Sequence, residues 1–363
     1  MCSRFGVMTS LAALRFAPAD LKSKVHFVTT VSLALPLKDE QLAQSLAAEM
    51  DRIEAALRDA VANADGLVDN ASRHLVAAGG KRLRPLLTLL SSHLGSGVND
   101  EVRRAAIVVE LTHLASLYHD DVMDSAPVRR GAPSAHEIWG NNVAILTGDL
   151  LFARASLLTA ELGPEAVFIQ ASTFERLCMG QLHETLGPAE DADPVEHYIQ
   201  VLADKTASLL AASALFGAKY SGCSEKIQNI VAQYGEHVGV AFQLADDVID
   251  LTSTGAVTGK TQGTDLREHV PTMPVLLLRE LVGSNEATGD DRALLELIDS
   301  DLSSDEALNR TIELLREHKV VDETRARATA YARAAISALD ELEEGSVKDG
   351  LVQFAQVLVE RVA

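Results

Sequence analysis

Apolar residues recur at three- and four-residue spacing along almost the whole of this 363-residue chain. Leu46, Met50 and Ile53, for example, would lie on one face of a helix. We find no sustained period-two alternation of the kind that indicates a β-strand. The breaks between helical segments are short and polar, and none resembles a domain linker. The pattern therefore predicts one all-α domain whose core is a bundle of long helices.

Residues 1–38 do not share this pattern. Their apolar patches and basic residues are interleaved, whereas a signal peptide has a charged end, an apolar run and a small-residue cleavage site in that order. We therefore expect residues 1–38 to form a poorly ordered leader and residues 39–363 to form the all-α domain. No uncharged apolar run reaches the ~18 residues needed to span a bilayer, so the sequence predicts no transmembrane segment.

Composition narrows the class of protein. The chain has 52 acidic and 32 basic residues and a net charge of −20, which argues against a nucleic-acid partner. Its cysteines, Cys2, Cys178 and Cys223, form no CxxC pair and have no neighbouring histidine cluster. This usage is typical of a cytoplasmic protein without structural zinc, and we expect Cys178 and Cys223 to be buried free thiols.

The chain contains nearly the same acidic hexad twice, as HDDVMD ending at Asp124 and as ADDVID ending at Asp250. In each copy the first and last aspartates lie four residues apart and share a helix face. Crowded carboxylates are costly without cations, and Mg²⁺ prefers such oxygen ligands together with water and substrate phosphates. One copy could be a solvated helix end, but two copies favour a metal site. The candidate ligands are Asp120, Asp121, Asp124, Asp246, Asp247 and Asp250.

Two clusters of basic residues accompany the acidic hexads. Lys81 and Arg84 follow a pair of glycines in the sequence GGKRLRP, and Arg129 and Arg130 lie just after the first hexad. Arginine matches phosphate oxygens bidentately, and lysine supplies a point charge. Either cluster alone could be an exposed surface feature, but beside two metal sites both favour diphosphate binding.

Polar residues also interrupt the apolar helix faces near the hexads. His113 and Gln243 share a helix face with the first aspartate of the first and second hexad, respectively. A polar side chain on an apolar face needs a partner, so each is either a satisfied core residue or a substrate contact. Lys205 interrupts another apolar helix and could reach the same cavity.

The order of these motifs resembles that of the trans-isoprenyl diphosphate synthases. GGKRLRP, LYHDDVMD with RRG, KT, FQLADDVID and GK with GTDLRE all occur in the order of that family. The resemblance is strongest to bacterial long-chain polyprenyl diphosphate synthases of the actinobacterial type. It implies a single helical bundle of the isoprenoid synthase type and Mg²⁺-dependent head-to-tail condensation of isopentenyl diphosphate with an allylic prenyl diphosphate. The expected product is a long all-trans polyprenyl diphosphate for the side chain of menaquinone, made by a cytoplasmic homodimer and delivered to the membrane.

The resemblance also implies roles for individual residues. Mg²⁺ ions, three with substrate bound, would bridge the allylic diphosphate to Asp120, Asp121, Asp124 and Asp246, supported by Asp247 and Asp250. The residues expected to bind the same diphosphate are Arg129, Lys205 and Lys260. Those expected to bind isopentenyl diphosphate are Lys81, Arg84, His113 and Arg130. Thr206 and Gln243 would line the region where the carbocation forms.

Two small residues before the first hexad bear on product length. Ser116 and Ala115 lie four and five residues before Asp120, where the resemblance expects the floor under the growing chain. Helical geometry places Ser116 one turn below Asp120, whereas the resemblance ranks Ala115 first, and we follow the resemblance. Small residues at both positions predict a long tunnel, unless they are small only to let helices pack closely.

Two other functions share some of these features. A class I terpene cyclase also combines an aspartate-rich motif with Mg²⁺, but the second hexad and GGKRLRP argue against it. A non-catalytic or partner subunit of a heteromeric prenyl synthase is the other alternative. Such subunits usually lose carboxylates, whereas all six are present here.

Overall fold

The computed structural model describes residues 26–29, 34–252 and 262–360. In these ranges the chain is almost entirely helical, which confirms the predicted all-α fold. Residues 1–25 of the expected leader, and Lys260, lie outside the described residues. The helices are α1 (Glu40–Ala60), α2 (Gly66–Ala77), α3 (Leu83–Ser92), α4 (Asp100–Met123), α5 (Ala135–Trp139), α6 (Asn141–Ala160), α7 (Pro164–Leu186), α8 (Pro194–Leu202), a π-helix (Ala203–Ala207), α9 (Ser208–Tyr220), α10 (Glu225–Thr252), α11 (Thr264–Arg267), α12 (Met273–Gly283), α13 (Gly289–Ile298), α14 (Asp305–Arg316), α15 (Lys319–Ala338), a 3₁₀ turn (Leu339–Glu341) and α16 (Ser346–Glu360).

Two short antiparallel hairpins accompany the helices. They pair β1 (His26–Thr29) with β2 (Ala34–Leu37) and β3 (Val128–Arg129) with β4 (Ala132–Pro133). The first hairpin falls within the expected leader, yet Leu35 and Leu37 of β2 lie in the hydrophobic core. The ordered structure therefore begins before residue 39. The sequence did not predict this hairpin, because four-residue strands are too short to show a sustained period-two pattern.

The core of the bundle is built around α4 and α10, the helices that carry the acidic hexads. Helix α4 packs against α3, α6 and α9, and α10 packs against α9 and α15. Gly239 of α10 permits a close backbone contact, because a Cβ atom there would lie 2.3 Å from the Cα atom of Ala207. A larger residue at position 239 would therefore displace the π-helix that carries Lys205.

Side-chain caps fix where several helices begin. Asp39, Asn99 and Asp193 accept hydrogen bonds from backbone amides in the first turns of α1, α4 and α8, respectively. Such a cap typically contributes about 1 kcal/mol to stability. The cap on α4, in which Asn99 Oδ1 lies 2.8 Å from the amide nitrogen of Val102, fixes the first turn of the helix that ends in the first hexad.

Two helical segments in the described part of the chain are long and apolar enough to cross a membrane by length and composition alone. Most of the Pro194–Tyr220 segment, 78%, is buried, as expected for a core helix. Only 33% of the most apolar 18-residue window of α6 is buried, and exposed apolar side chains occur on both α6 and α7. We call this exposed set the α6–α7 surface; it comprises Ile145, Leu146, Leu157, Val167, Phe168, Phe174, Met179, Leu182 and Leu186.

The cysteine expectation is half right. Cys223 is a buried free thiol, as the sequence predicted, whereas Cys178 is exposed on α7. The prediction for Cys178 is wrong because Phe174 and Met179, its apolar neighbours along α7, are themselves exposed. An apolar run along a helix does not require burial, and here it marks the α6–α7 surface.

Candidate active site

The two acidic hexads occupy the C-terminal ends of α4 and α10. Asp120 and Asp121 lie in the last turn of α4 and Asp124 caps it, while Asp246 and Asp250 lie in the last two turns of α10. Burial raises the pKa of Asp120 to about 6, opposed by Lys205 and reinforced by Asp124. Burial also raises the pKa of Asp124. These carboxylates are therefore held where their negative charge is unfavourable, as expected of a site that receives cations.

The middle aspartate of the first hexad is fully buried. Arg129 Nε donates to Asp121 Oδ1 at 2.5 Å, which joins the β3–β4 hairpin to the end of α4. The other oxygen, Asp121 Oδ2, is buried and has no hydrogen-bond partner among the described residues. Arg129, expected at the diphosphate, is thus paired with an aspartate in this structure, and an oxygen of that aspartate is left for a ligand.

The middle aspartate of the second hexad has a different environment. Asp247 is 4% exposed and accepts hydrogen bonds from the Tyr198 hydroxyl at 3.0 Å and from the Met273 amide at 3.2 Å. Burial, with Asp265 nearby, raises its pKa well above the usual range. Asp247 therefore anchors α8 and α12 to α10, a structural role that its place among the candidate metal ligands did not predict.

Arg84, Arg130 and His113 form a basic cluster beside the acidic helix ends. Burial, with a smaller contribution from the charge of Arg130, lowers the pKa of Arg84 to about 10, although Glu110 opposes the shift. Burial and the same arginines hold the pKa of His113 well below its usual range, so this imidazole is neutral at physiological pH. Arg84 Nε is buried without a partner in the described chain. The cluster thus has unsatisfied positive charge that an anion would stabilise.

Two glycines make room for this basic cluster. Arg130 donates to the carbonyl of Leu75 at 3.1 Å and to the carbonyl of Gly79. Gly80 has a φ of +144°, and a Cβ atom there would lie 2.7 Å from Arg130 Cζ. The paired glycines of GGKRLRP therefore serve both backbone conformation and the close passage of an arginine.

Arg82, the middle cation of GGKRLRP, points away from the site. Its guanidinium is buried and bonds to Glu54 at 2.9 Å and to Glu110 at 2.8 Å, which ties the loop to α1 and α4. Lys81 points the other way, with its Nζ 5.3 Å from the ring centroid of Phe242 on α10. Nothing in the sequence GGKRLRP distinguishes Arg82 from the other basic residues. The sequence alone therefore did not predict that Arg82 is structural while Lys81 and Arg84 are candidate site residues.

Lys205 and Thr206 lie on the π-helix between α8 and α9. Single-turn π-helices are frequent at functional sites because they redirect side chains that an α-helix would align. Asp204 holds this turn, accepting from Arg176 Nε at 2.7 Å and from Gln200 Nε2 at 2.8 Å. Both Lys205 and Thr206 remain half-buried.

Glu184 of α7 belongs to the site although the sequence gave no motif for it. Its carboxylate forms an ion pair with Lys205, and its charge raises the pKa of Asp120 and of Asp124. Gly180, one turn earlier, permits this approach, because a Cβ atom there would lie 2.6 Å from the Lys205 amide nitrogen.

The remaining candidate residues lie on α10. Gln243, Asp246 and Asp250 are half-buried on α10. In the described ranges, no group of three or more His, Cys, Asp or Glu side chains is placed to hold a metal ion. The aspartates of each helix end would thus need further ligands, such as phosphate oxygens and water, to complete a coordination shell.

The two candidate floor residues differ in environment. Ala115 is fully buried and packs against α6, where a Cβ atom on Gly148 would lie 3.1 Å from the Ala115 carbonyl oxygen. Ser116 is half-buried and donates its hydroxyl to the His113 carbonyl at 2.9 Å. Side-chain exposure thus agrees with helical periodicity in placing Ser116, one turn below Asp120, on the more open side of α4.

These features together define a class of protein. Two acidic helix ends beside a basic cluster, all inside one helical bundle, characterise enzymes that act on diphosphate esters with divalent metal ions. The chain belongs to the polyprenyl synthetase family, whose model matches residues 65–315. It is therefore a prenyltransferase that elongates prenyl chains, as the sequence predicted, and family membership argues against the cyclase.

Similar proteins agree with this assignment. The chain is 44% identical over 290 residues to the nonaprenyl diphosphate synthase of Mycobacterium tuberculosis, covering 79% of this chain and 84% of that protein. The crystal structure of a polyprenyl synthase from Caulobacter crescentus, complexed with calcium and isoprenyl diphosphate, matches with a TM-score of 0.80 and 31% identity, over 89% of this chain and 98% of that one. A geranylgeranyl pyrophosphate synthase from Corynebacterium glutamicum, also with calcium and isoprenyl diphosphate, matches with a TM-score of 0.79 and 38% identity, over 90% and 99%.

Proposed function

We propose that this protein is a Mg²⁺-dependent long-chain polyprenyl diphosphate synthase that condenses isopentenyl diphosphate with an allylic prenyl diphosphate and supplies a quinone side chain. The observation that carries the proposal is that an acidic half-site and a basic half-site lie next to each other. Asp120 and Asp124 lie near Lys205 on one side, and on the other side lie Arg84 and Arg130, of which Arg84 Nε has no partner among the described residues. A reaction between two diphosphate esters needs both.

The acidic half-site fits divalent metal ions. Asp120, Asp124 and Asp246 would hold Mg²⁺, and the free oxygen of Asp121 adds a buried acceptor. Calcium in the Caulobacter and Corynebacterium relatives supports divalent metal binding. When bound, the metal supplies positive charge that stabilises the departing diphosphate.

The cationic side chains divide between the two substrates. Lys205, with Arg129 and Lys260, would bind the allylic diphosphate. Lys81, Arg84 and Arg130 would bind isopentenyl diphosphate, and neutral His113 would add a hydrogen bond without further charge. This division places the stabilising charges around each diphosphate before the allylic C–O bond breaks.

The chemistry requires stabilisation of a cation and exclusion of water. Breaking the allylic C–O bond gives a carbocation, which Thr206 and Gln243 would face. The double bond of isopentenyl diphosphate attacks this cation, and the proton lost in the step goes to the released diphosphate. Water must be excluded from this step, because it would trap the cation as an alcohol.

The growing chain would extend along the open side of α4. Asp120 and Ser116 are one turn apart on that side, and Ala115 packs next to it against α6. Each methylene that enters an apolar tunnel contributes about 0.8 kcal/mol, which drives elongation. Small side chains at both positions leave the path open for a long product.

The α6–α7 surface would be covered by a second copy of the chain. Phe168 and Leu157 are 72% and 69% exposed, and contiguous apolar surface of this kind marks protein interfaces. We therefore propose a homodimer, with the product passed to a membrane. Light scattering of the purified protein should give twice the chain mass, and Phe168→Asp should shift it toward the monomer.

One assay tests the proposed activity against both alternatives. Purified protein with Mg²⁺, isopentenyl diphosphate and farnesyl or geranylgeranyl diphosphate should give a long polyprenyl diphosphate by mass spectrometry. A cyclised hydrocarbon would support the cyclase instead. Silence until a second protein is added would support the partner subunit, and retention of activity in EDTA would contradict the metal requirement.

A further inference from the structure

A buried hydrogen bond joins α4 and α7 two turns below the first hexad. Gln170 Nε2 donates to Thr112 Oγ1 at 2.9 Å, and the Thr112 hydroxyl in turn donates to the Val108 carbonyl at 2.8 Å. Thr112 is fully buried and Gln170 is 8% exposed. We call this pair the Thr112–Gln170 bridge.

The bridge lies in line with the acidic site. Thr112, Ser116 and Asp120 are spaced four residues apart on α4, so they share a face, and Thr112 lies about 12 Å below Asp120 along the helix. On α7, Gln170 is fourteen residues before Glu184, which pairs with Lys205 at the top of the site. Both helices therefore lead from the catalytic end down to the bridge.

The region below the bridge is apolar. A separate core cluster, built from α4, α7, α9 and the loop between α6 and α7, contains Val109, Ala166, Leu209 and Phe216, all buried. A hydrocarbon chain that passed the bridge would enter apolar surroundings. The bridge is thus a polar barrier between the open side of α4 and this cluster.

We propose that the Thr112–Gln170 bridge closes the lower end of the product tunnel and thereby limits product length. This inference rests on the proposed function. A growing chain that reaches the bridge must separate the two side chains and leave the Gln170 amide unpaired among apolar groups, which is unfavourable. Elongation past this point is slowed relative to release, and the bridge determines specificity without touching the reacting atoms.

Two variants remove the bridge in different ways. Gln170→Met keeps an unbranched side chain and leaves the Thr112 hydroxyl bonded to Val108. Thr112→Val keeps the shape of residue 112 and removes the acceptor. In both, the ratio of products longer than the main wild-type product to that product should rise about tenfold, the effect of one hydrogen bond of ~1.4 kcal/mol.

Two controls isolate the bridge from general effects on the core. Thr112→Ser keeps the hydroxyl and should keep the wild-type product length. Thr159→Val removes a buried hydroxyl on α6 that donates to the Ala155 carbonyl at 2.7 Å, and it should also leave product length unchanged. Circular dichroism and melting temperature of each variant identify any that fail to fold.

Product length decides the inference. Unchanged or shorter products in both folded bridge variants, or equal lengthening in Thr159→Val, would overturn the bridge as a determinant of length. If one bridge variant does not fold, the result of the other decides. Absence of any condensation by the wild-type protein would instead contradict the proposed function, so the two failures are distinguishable.

Discussion

The two acidic hexads have almost the same amino-acid sequence but different neighbours in the folded structure. In the first, the buried Asp121 pairs with a cation, Arg129, and keeps one oxygen free of partners among the described residues. In the second, the buried Asp247 accepts from two neutral donors in the described part of the chain, Tyr198 and the Met273 amide. A repeated motif therefore fixes the helical phase of its carboxylates, while the surrounding elements decide what each carboxylate does.

The residues one turn below the hexads differ in the same way. Ser116 lies four residues before Asp120, and the large aromatic Phe242 lies four residues before Asp246 and packs under Lys81. An elongating chain would therefore meet a small side chain beneath the first hexad and a large one beneath the second. Under the proposed function, the first hexad would combine metal binding with the start of a tunnel, and the second would combine metal binding with the anchoring of α8 and α12 by Asp247.

The largest loss of activity is expected from substitution of the first aspartate of either hexad, because both aspartates have the same proposed role. Asp120→Ala and Asp246→Ala should each lower the turnover rate by about a thousandfold or more, because several kcal/mol of charge stabilisation of the departing diphosphate is lost. Circular dichroism should show an intact fold in both. Near wild-type activity in either variant would contradict the shared metal role.

The basic residues beside each hexad should separate kinetically. Lys81→Ala and Arg84→Ala should raise the KM for isopentenyl diphosphate about thirtyfold, since a charge-assisted hydrogen bond contributes ~2 kcal/mol. Lys205→Ala should instead weaken binding and ionisation of the allylic substrate. A rise in KM for the allylic primer alone in Lys81→Ala would reverse the assignment of the two clusters.

The difference in side-chain size one turn below the two hexads can be tested by measuring product length. Ala115→Phe or Ala115→Tyr should shorten the product without abolishing the first condensation, because an aromatic ring blocks the path beside α4. Ser116→Phe tests the more open position and should shorten the product at least as much. Unchanged length in all three active variants would place the floor of the tunnel elsewhere.

Parts of this site follow directly from the sequence. The spacing of the aspartates and the apolar periodicity predict their helical phase, because both depend on neighbours along one helix. The inward turn of Arg82, the anchoring by Asp247 and the contribution of Glu184 depend on contacts between helices far apart in sequence. No local pattern encodes those contacts, so only the fold reveals them. The π-helix that carries Lys205 is likewise held by Arg176, which lies 28 residues before Asp204.

A smaller effect should distinguish the two middle aspartates. Tyr198→Phe removes the hydroxyl donor to Asp247 and should lower the free energy of unfolding by about 1.5 kcal/mol, because a buried acceptor loses a partner. Tyr331→Phe, at a half-buried tyrosine on α15, is the matched control and should change stability little. Equal losses in both variants, measured by urea unfolding, would argue against an anchoring role for Asp247.

The smallest effect concerns the charge of the first hexad without metal. Burial raises the pKa of Asp120 to about 6, above that of an unfolded aspartate, so its ionisation opposes folding. Its contribution to stability should therefore be lost as pH rises from about 4 through 6, and no penalty remains below about 4. Asp120→Asn removes the titration and should stabilise the metal-free protein at pH 7 by on the order of 1 kcal/mol, a figure discounted for solvent screening of this half-buried group.

Urea unfolding in EDTA at several pH values measures this difference directly. The gain in stability of Asp120→Asn over wild type should be present at pH 7 and vanish near pH 4. A gain of the same size at both pH values would mean that packing, and not charge, accounts for it. Asp246→Asn provides the comparison between the hexads. If burial beside Asp124 and Glu184 is what makes the charge of Asp120 unfavourable, the pH-dependent gain should be larger at Asp120 than at Asp246, despite the nearly identical motif around them.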